Sequence, residues 1–526
     1  MACAVDEGSG KLRGMRGRAL PELEYSAPRL LRWGWVKPVD AKAGGLILPY
    51  WGPPFSMVKH YDVVAFGTGS AMNIVSALLA RGYRGRVAVI ERDMVGGICL
   101  TRGCIPSKML VEVARNVRRV REVGKLGINV KLESVDFTRT MERVWRRISE
   151  ESRMIEESLK RHPLIDLYQG TGTFIGEYTV DVAGREIEGD VFLLCLGSRP
   201  AVPNVPGIDE VEYHTSDSFF RELRELPRRT VVVGGGFVGL ELGFFLAMMG
   251  SQVTILQRRD RILPEEEPEI SELLRRDLSR YMDIRVNHEV VEFRRSGGRQ
   301  IVVAENKLTG DNVEFEADLI LIASGRRSNS DITRPEKTGV KVDEKGWIVV
   351  DEYLRTTKEG VWAFGDATGR LMFKHKANYE SMIVYRNAFL GEQVKAEYHA
   401  VPHAVFTEPE VASVGMKEEE AAKKYDILVG FATYGETAKG EAMMAEDYFV
   451  KVILERETLR ILGAHIVGPE ASILIQEIVN LMYSDGTAAP IYRGMHIHPA
   501  LSEVVERAFY HLHEPGEWKR HLHHGH

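Results

Sequence analysis

A complete Gly-x-Gly-x-x-Gly motif near the middle of the chain restricts the fold more than any other segment. It follows a strand pattern at Thr230–Val233, opens a helix pattern that runs to Met249, and precedes a second strand pattern at Val253–Leu256. Glycines at this spacing make a tight turn, let the backbone approach a pyrophosphate and allow the helix to pack closely on the strand. The segment therefore predicts a strand–helix–strand unit that binds a dinucleotide. The three glycines are Gly234, Gly236 and Gly239.

A second motif of this kind occurs earlier and is incomplete. A strand pattern at Tyr61–Phe66 leads into a glycine turn and a helix pattern, but the third glycine position holds Met72. Methionine there predicts looser packing of the helix on the strand. The next strand pattern, Arg86–Ile90, is followed by an acid that suits a ribose hydroxyl. We predict a second dinucleotide site here, contacted by Gly67, Gly69, Ser70 and Glu91.

The residues after Val253–Leu256 indicate which nicotinamide coenzyme binds. A site for NAD favours an acidic residue at this point, but this chain has Gln257, Arg258 and Arg259. A neutral amide and two guanidinium groups suit a 2′-phosphate instead. The pattern therefore favours NADPH over NADH. The alternative is that both arginines are ordinary surface residues, although this does not explain the missing acid.

The chain has only four cysteines, and two of them are five positions apart. The spacing of Cys99 and Cys104 can place two sulfurs on one helical turn, close enough to bond. It does not suit a zinc site, which needs further ligands at other spacings. We therefore predict a redox-active dithiol, with no metal site and no structural disulfide framework. Cys3 and Cys195 are expected to be inert.

Composition excludes several functions. A net charge of −6 over 526 residues argues against nucleic-acid binding as the main role. No apolar run is long enough for a transmembrane helix, and no secretory signal is recognisable, so we expect a cytoplasmic protein without a membrane partner. Residues 1–57 sustain no helical or strand period. They are either a surface extension or, as we favour, the result of a start codon assigned upstream of Met57.

Two dinucleotide motifs and a dithiol in one chain indicate electron transfer from a nicotinamide through a flavin to a disulfide. From about Tyr61 to about Tyr510 the chain resembles the pyridine-nucleotide–disulfide oxidoreductases, the superfamily of dihydrolipoamide dehydrogenase, mercuric reductase and glutathione reductase. The motifs occur in the family's order. They are Gly97 with Cys99 and Cys104, the turn around Gly325, the pair Gly365-Asp366, and His498-Pro499 with Glu503.

The resemblance implies a role for each of these residues. Cys104 would lie against the flavin and form the charge-transfer thiolate, and Cys99 would exchange with the substrate disulfide. His498, oriented by Glu503, would hold the proton that thiol exchange requires. The remaining expected contacts are Lys108 near the flavin ring and paired with Glu241, Asp366 on the ribityl chain, and Gly97, Gly325 and Gly365 at the FAD site.

The resemblance also implies the fold class and the assembly. We expect an α/β protein with two Rossmann-like dinucleotide-binding domains, for FAD and NAD(P), and a C-terminal α+β dimerisation domain. The expected boundaries are 58–205 and 327–396 for the two parts of the FAD domain, 206–326 for the NAD(P) domain, and 397–526 for the dimerisation domain with its His-rich tail. In this family His498 and Glu503 serve the other subunit, which implies a homodimer with a shared active site.

The substrate is left open between branches. The ending Cys104-Ile105-Pro106-Ser107-Lys108 resembles the lipoamide and mercuric branches, and His375-Lys376-Ala377 resembles the lipoamide branch. The lack of a C-terminal cysteine pair weakens the mercuric reading. The expected function is dihydrolipoamide dehydrogenase acting on a lipoyl substrate. The alternatives are an NADPH-dependent reductase of another small disulfide, of the mycothione or coenzyme A disulfide type, a mercuric reductase, or a catalytically silent flavoprotein.

Overall fold

The structure is a computed structural model that describes residues 58–523. The two hypotheses for residues 1–57 therefore lie outside the described residues. The strands, in chain order, are β1 (Lys59–Phe66), β2 (Val87–Glu91), β3 (Ile165–Gln169), β4 (Gly172–Phe174), β5 (Thr179–Val182), β6 (Arg185–Leu194), β7 (Ser198–Pro200), β8 (Tyr213–His214), β9 (Arg229–Val233), β10 (Gln252–Leu256), β11 (Asp283–Arg285), β12 (His288–Ser296), β13 (Arg299–Asn306), β14 (Asn312–Ala317), β15 (Leu319–Ile322), β16 (Arg326–Ser328), β17 (Val361–Ala363), β18 (His403–Val405), β19 (Glu410–Gly415), β20 (Ile427–Thr433), β21 (Phe449–Glu455), β22 (Ile461–Gly468) and β23 (Leu512–His513).

The helices of the described residues, in chain order, are α1 (Ala71–Ala80), α2 (Gly97–Thr101), α3 (Cys104–Glu122), α4 (Phe137–Arg161), α5 (Ser216–Glu222), α6 (Phe237–Met249), α7 (Pro268–Leu278), α8 (Ser330–Thr333), α9 (Lys374–Phe389), α10 (Glu418–Ala422), α11 (Ala438–Ala442), α12 (Ala471–Met482), α13 (Ala489–Arg493) and α14 (Ser502–Tyr510). Short 3-10 turns lie at Val123–Leu126, Ile208–Glu210, Pro335–Thr338, Gly365–Thr368, Tyr434–Glu436 and Glu517–His523.

The first sheet has seven strands and combines early and late parts of the chain. Its order is β3-β2-β1-β6-β5-β4, and β17 pairs with β6. Strand β1 lies parallel to both β2 and β6, with Val63 opposite Val87 and Val191. Parallel strands covered on both faces are almost wholly apolar, as β2 is here. Helices α1 and α9 share one apolar cluster with this sheet.

The second sheet is built from the complete glycine motif. Its order is β11-β10-β9-β15-β8, and every pairing is parallel. Helix α6 connects β9 to β10 as the sequence predicts, and nearly all of its residues are buried. The residues of α6 are buried because α3, the helix that begins with Cys104, packs against the face of α6 that points away from the sheet. Leu110 and Ala114 of α3 belong to the same apolar cluster as Phe244 of α6.

The chain leaves the first sheet and later returns to it through two short strands that pair with each other. Strands β7 and β16 form a two-stranded antiparallel ribbon, with Arg199 opposite Arg327. Strand β6 stops at Leu194, so Cys195 lies just beyond its end. An antiparallel three-stranded sheet, β12-β13-β14, belongs to the same part of the chain as the second sheet. We call this part, which contains the complete glycine motif, the second unit.

The last part of the chain forms a six-stranded antiparallel sheet of order β18-β19-β22-β21-β20-β23. Helices α12 and α14 pack on one face and share its apolar cluster. Lys451 on β21 is buried beside carboxylates of the second unit and of α10, with Nζ 2.7 Å from Glu418 and 3.3 Å from Glu267. Among residues 58–523, no helix is both long enough and apolar enough to cross a bilayer.

Candidate active site

A cavity lies at the carboxyl ends of the parallel strands of the first sheet. Ligands bind at this position in open α/β sheets. Segments that are far apart in sequence line this cavity. They are the first glycine turn, the end of β2, the redox helices α2 and α3 that carry Cys99 and Cys104, and the turn after β17. Nine residues predicted from the sequence line it: Gly67, Gly69, Ser70, Glu91, Gly97, Cys99, Cys104, Gly365 and Asp366.

Close backbone contacts shape the cavity. Gly67 has φ +86°, and a Cβ there would lie 2.6 Å from the carbonyl oxygen of Cys195. Gly97 has φ +69°, and its Cβ would lie 2.7 Å from Cα of Gly69. Any side chain at Gly97 would therefore fill the space in front of the glycine turn at the N-terminus of α1. This bare turn fits the diphosphate of a dinucleotide such as FAD.

Glu91 is fixed at the cavity wall by a residue that the sequence analysis did not select. Its Oε2 accepts hydrogen bonds from the amide of Thr68 at 3.0 Å and from the Thr68 hydroxyl at 2.5 Å. Its Oε1 accepts one from the amide of Asp93 at 3.0 Å. A carboxylate oxygen can accept two hydrogen bonds, so Oε1 keeps the capacity to accept a ribose hydroxyl. The middle residue of a Gly-x-Gly turn gave no sequence signal for this contact.

A buried ion pair holds the turn that carries Asp366, and it too was missed. Lys376 and Glu380 of α9 are fully buried and 2.9 Å apart. Glu380 accepts a hydrogen bond from the amide of Gly365 at 2.7 Å, while Lys376 donates one to the carbonyl of Gly365 at 3.2 Å. Both polar groups of this glycine are thus bound by one pair. The i, i+4 spacing of Lys and Glu was the available signal.

Asp366 itself faces the cavity in a polar setting. Its Oδ2 accepts a hydrogen bond from the hydroxyl of Ser198 at 2.6 Å, and Arg326 lies 3.9 Å away. Gly325, which precedes that arginine, has φ +121° and open space where a Cβ would be. Gly325 is not among the residues that line the cavity, so the structure does not bring it together with the other predicted contacts.

The two redox cysteines are adjacent but do not share one helical turn. Cys99 lies in α2 and Cys104 begins α3, with a break between the two helices at Arg102 and Gly103. The helical-turn expectation was therefore wrong in detail. The break needs glycine because a Cβ at Gly103 would lie 2.8 Å from the carbonyl oxygen of Ile98. Both cysteines are free thiols in this structure.

The thiols have different acidities because they share a hydrogen bond. Donation by Cys99 is the main reason that the pKa of Cys104 falls to about 6, and the charge of Lys108 lowers it further. The same hydrogen bond, together with burial, raises the pKa of Cys99. The interacting pair therefore loses its first proton near pH 6, and that charge resides mainly on Cys104.

Lys108 connects the redox helix to the second dinucleotide unit. Its Nζ lies 2.7 Å from Oε2 and 3.0 Å from Oε1 of Glu241, which is buried in α6. The same carboxylate accepts a hydrogen bond from the amide of Phe406 at 3.0 Å. The Phe406 ring lies beneath the ammonium at 4.4 Å, an additional favourable contact.

The complete glycine motif has the geometry that its spacing predicts. Gly234 has φ +117°, and a Cβ there would lie 2.4 Å from the carbonyl oxygen of Ala323. A Cβ at Gly239 would lie 2.1 Å from the carbonyl oxygen of Gly234, whereas one at Gly236 would meet open space. The turn, the close packing and the exposed backbone are therefore divided among the three glycines as a dinucleotide site requires.

The three residues after β10 differ in their surroundings. Gln257 is buried, and its Oε1 accepts a hydrogen bond from the amide of Arg259 at 3.4 Å. Arg259 is exposed and pairs with Glu265 at 3.0 Å. Arg258 is exposed, and within residues 58–523 no carboxylate lies within ion-pair distance of it. Arg258 is thus the guanidinium that remains available to an anion.

The predicted acid–base pair lies apart from the cavity. Nδ1 of His498 is 2.9 Å from Oε1 of Glu503, and the amide of Ala500 donates to Oε2 at 3.0 Å. These two hydrogen bonds lower the pKa of Glu503. The carboxylate therefore stays ionised and accepts a hydrogen bond from the protonated Nδ1 of His498. Nε2 is then the free ring nitrogen on a side chain that is 72% exposed. Neither residue lines the cavity of its own chain.

Comparison with known proteins identifies the family. Residues 61–381 match the family described as pyridine nucleotide-disulphide oxidoreductase, and residues 401–509 match its dimerisation domain. This chain belongs to the pyridine nucleotide-disulphide oxidoreductases. The suspected family and the expected α/β fold class are confirmed. Enzymes of this family use FAD and a nicotinamide coenzyme and act on sulfur groups, and the dimerisation domain indicates a homodimer.

Individual relatives differ in the activity that their names carry. Mycothione reductase of Mycobacterium tuberculosis is 36% identical over 465 residues, which cover 86% of this chain and 99% of the relative. Dihydrolipoyl dehydrogenase of Corynebacterium glutamicum is 32% identical over 468 residues, 86% and 98% of the two chains. The solved HOCl-induced flavoprotein disulfide reductase RclA of Escherichia coli matches with a TM-score of 0.75 and 30% identity over 86% of this chain and 99% of that one.

We predict that the two thiols titrate far apart. Alkylation of Cys104 in the reduced protein should accelerate through a midpoint near pH 6, and alkylation of Cys99 only at much higher pH, because the thiolate is the reactive form. Peptide mass spectrometry across a pH series distinguishes the two sites. Lys108→Met should raise the Cys104 midpoint, because it removes the nearby cation and leaves Glu241 unpaired. Lys131→Met, at an exposed position, is the control; an unchanged midpoint in Lys108→Met would contradict the assignment.

Proposed function

We propose that this oxidoreductase is an NADPH-dependent reductase of a low-molecular-weight disulfide, with each active site shared between two subunits. One observation supports this most: the thiols of Cys99 and Cys104 line the cavity that fits FAD, and Lys108 beside them contacts Glu241 of the second dinucleotide unit. The helix that carries Cys104 is therefore in direct contact with the second dinucleotide unit. We also propose a cytoplasmic location, where the nicotinamide pool can keep such a dithiol reduced.

The cysteines perform the chemistry on the substrate. His498 takes the proton of the Cys99 thiol, and the thiolate that forms attacks one sulfur of the substrate disulfide. A mixed disulfide forms, and the other half leaves as a thiolate that takes this proton back from His498. Cys104 then attacks Sγ of Cys99, which releases the second half and closes the Cys99–Cys104 disulfide. FAD, when bound, transfers an electron pair from NADPH to that disulfide and so restores both sulfurs. One disulfide is reduced to two thiols for each NADPH oxidised.

His498 is suited to supply the proton. Its Nδ1 is committed to Glu503, so only Nε2 can exchange a proton with a leaving thiolate. The His498 side chain is exposed, and neither it nor Glu503 lines the cavity of its own chain, which supports a role in the second subunit's site. The dimerisation-domain match over residues 401–509 includes both residues and supports the same arrangement.

Two classes of substrate are candidates. The basic segment after β10 and the 36% identity to mycothione reductase favour reduction of a small thiol disulfide with NADPH. Dihydrolipoyl dehydrogenase activity, which the sequence analysis expects, is the second candidate. It is supported by the 32% identity to such an enzyme and by the Cys104–Lys108 motif. Lipoyl groups and small thiol disulfides would use the same cysteines, so the coenzyme and a substrate panel must distinguish them.

A substrate panel tests the proposal directly. We expect NADPH oxidation to be fastest, by kcat/KM, with a small disulfide among mycothione, coenzyme A and glutathione disulfides, lipoamide and mercuric ion. Cys99→Ser should retain flavin, but its kcat/KM for the disulfide should fall about a thousandfold because the attacking sulfur is gone. Lys131→Met, at an exposed position, is the control and should stay active. Highest activity with lipoamide and NAD would establish the second candidate, and no activity with any disulfide would overturn both.

The coenzyme preference should depend on Arg258 more than on Arg259. Arg258→Ala should raise KM for NADPH about tenfold, because a guanidinium–phosphate contact is lost, and leave KM for NADH within about twofold. Arg259→Ala should have a smaller effect because Glu265 already neutralises that guanidinium. Arg295→Ala, an exposed arginine in the same unit, is the control. Equal changes in KM for NADPH and for NADH would show that the residues after β10 do not bind the 2′-phosphate.

Mixed dimers test the shared site. Cys99→Ser and His498→Ala should each be nearly inactive as homodimers. Coexpression with two different tags should give heterodimers in which one site combines intact cysteines with an intact histidine. A random mixture should then recover about a quarter of the wild-type activity, because half the dimers regain one of two sites. No recovery in purified heterodimers would place His498 with the cysteines of its own chain.

A further inference from the structure

An ammonium group lies in the cavity that fits FAD and is held there by a neutral contact. Lys374, the first residue of α9, lines the cavity and is half-buried. Its Nζ donates a hydrogen bond to the hydroxyl of Ser70 at 2.9 Å. That hydroxyl in turn donates to Oδ1 of Asn378 at 3.0 Å. The Ser70 contact uses one ammonium proton, and the other two remain available for other acceptors.

The other charged side chains that line the cavity are mostly engaged. Glu91 accepts hydrogen bonds from Thr68 and from the amide of Asp93, and Asp366 accepts one from Ser198. Arg102 pairs with Asp93 and Asp217. Arg92 is exposed to solvent. Within residues 58–523, Lys374 has no carboxylate within ion-pair distance.

The position of Ser70 shows what the ammonium faces. Ser70 is the residue immediately before α1, so Lys374 is held at the N-terminus of that helix. The first amides of a helix carry unsatisfied donors and a partial positive charge. Gly67, Gly69 and Gly97 leave the backbone there bare. A cation, a helix N-terminus and a bare turn therefore converge on one point, and an anion is the group that would neutralise them.

We propose that Lys374 is a cofactor-binding residue whose ammonium contacts the diphosphate of FAD. The inference rests on the proposed flavoenzyme function, and it adds a side-chain cation to a subsite that the sequence motif assigns to glycine backbone alone. Charge-assisted contacts to phosphate are roughly twice as strong as neutral hydrogen bonds. The ammonium keeps its Ser70 contact and uses its free protons for the phosphate oxygens.

A second observation shows that this charge acts inside the cavity. The pKa of Cys99 is raised by its hydrogen bond to Cys104 and by burial, and Lys374 opposes that rise. The pKa of Cys195 is raised by burial to about 11, and Lys374 again opposes the rise. The charge of this ammonium therefore acts on two cysteines that line the cavity.

The test measures FAD retention rather than turnover. Holoenzyme is diluted in series, free flavin is separated by ultrafiltration, and the dissociation constant is obtained at several salt concentrations. Lys374→Met should raise the constant about tenfold or more, because one charge-assisted contact is lost. Its dependence on salt should also become weaker, because salt screens the ammonium–phosphate attraction in the wild type. Lys374→Arg should stay within about threefold of the wild type because it keeps the charge.

The controls separate this role from a general effect on folding. Lys341→Met removes an exposed lysine away from the cavity and should leave FAD affinity unchanged. If Lys374→Met does not fold, Lys374→Gln compared with Lys374→Arg makes the same comparison of charge. An unchanged constant and unchanged salt dependence in the neutral variant would overturn the role of Lys374. That result would leave the proposed function standing, whereas a wild-type protein that retains no FAD would overturn the function itself.

Discussion

The ion pair between Lys108 and Glu241 holds the three parts of the molecule in the arrangement that the chemistry requires. Lys108 belongs to the redox helix, Glu241 to the helix of the complete glycine motif, and the amide of Phe406 to the C-terminal part. A buried carboxylate is costly unless all its acceptors are used, so losing any partner penalises the whole arrangement. The same cation lowers the pKa of Cys104, and the contact therefore joins architecture to reactivity.

Buried charges recur wherever the parts of the chain meet. Lys451 of the C-terminal sheet lies among carboxylates from the second unit and from α10, and His403 pairs with Glu266 across the same boundary. Lys376 and Glu380 hold the turn that follows β17 of the first sheet. Breaking a buried pair leaves an uncompensated charge, which costs more than losing an equal apolar contact. These contacts disfavour separation of the parts and fix the cavity between the first sheet and the redox helices.

Features that depend on local backbone were predictable. The glycine spacing around Gly234 and Gly67 gave both strand–helix–strand units, because tight turns with positive φ and close helix packing leave few alternatives to glycine. The cysteine spacing gave the dithiol but not its geometry, since the break at Gly103 depends on its approach to the carbonyl of Ile98. Thr68 was missed because its partner, Glu91, lies on another segment at no fixed spacing. Lys376 and Glu380 have the i, i+4 spacing of a helical ion pair, but the glycine that they hold lies outside their helix.

The sequence by itself determined that the chain has two dinucleotide turns, a dithiol and the order in which they occur. These properties are encoded within short segments, where residue type and φ decide the outcome. Only the tertiary structure decided that the charge of Lys108 acts on Cys104, that Arg258 rather than Arg259 is unpaired among the described residues, and that Lys374 faces the cofactor cavity. Each of these depends on which distant charges lie within a few ångströms, and Coulomb interactions follow distance in space rather than separation along the chain.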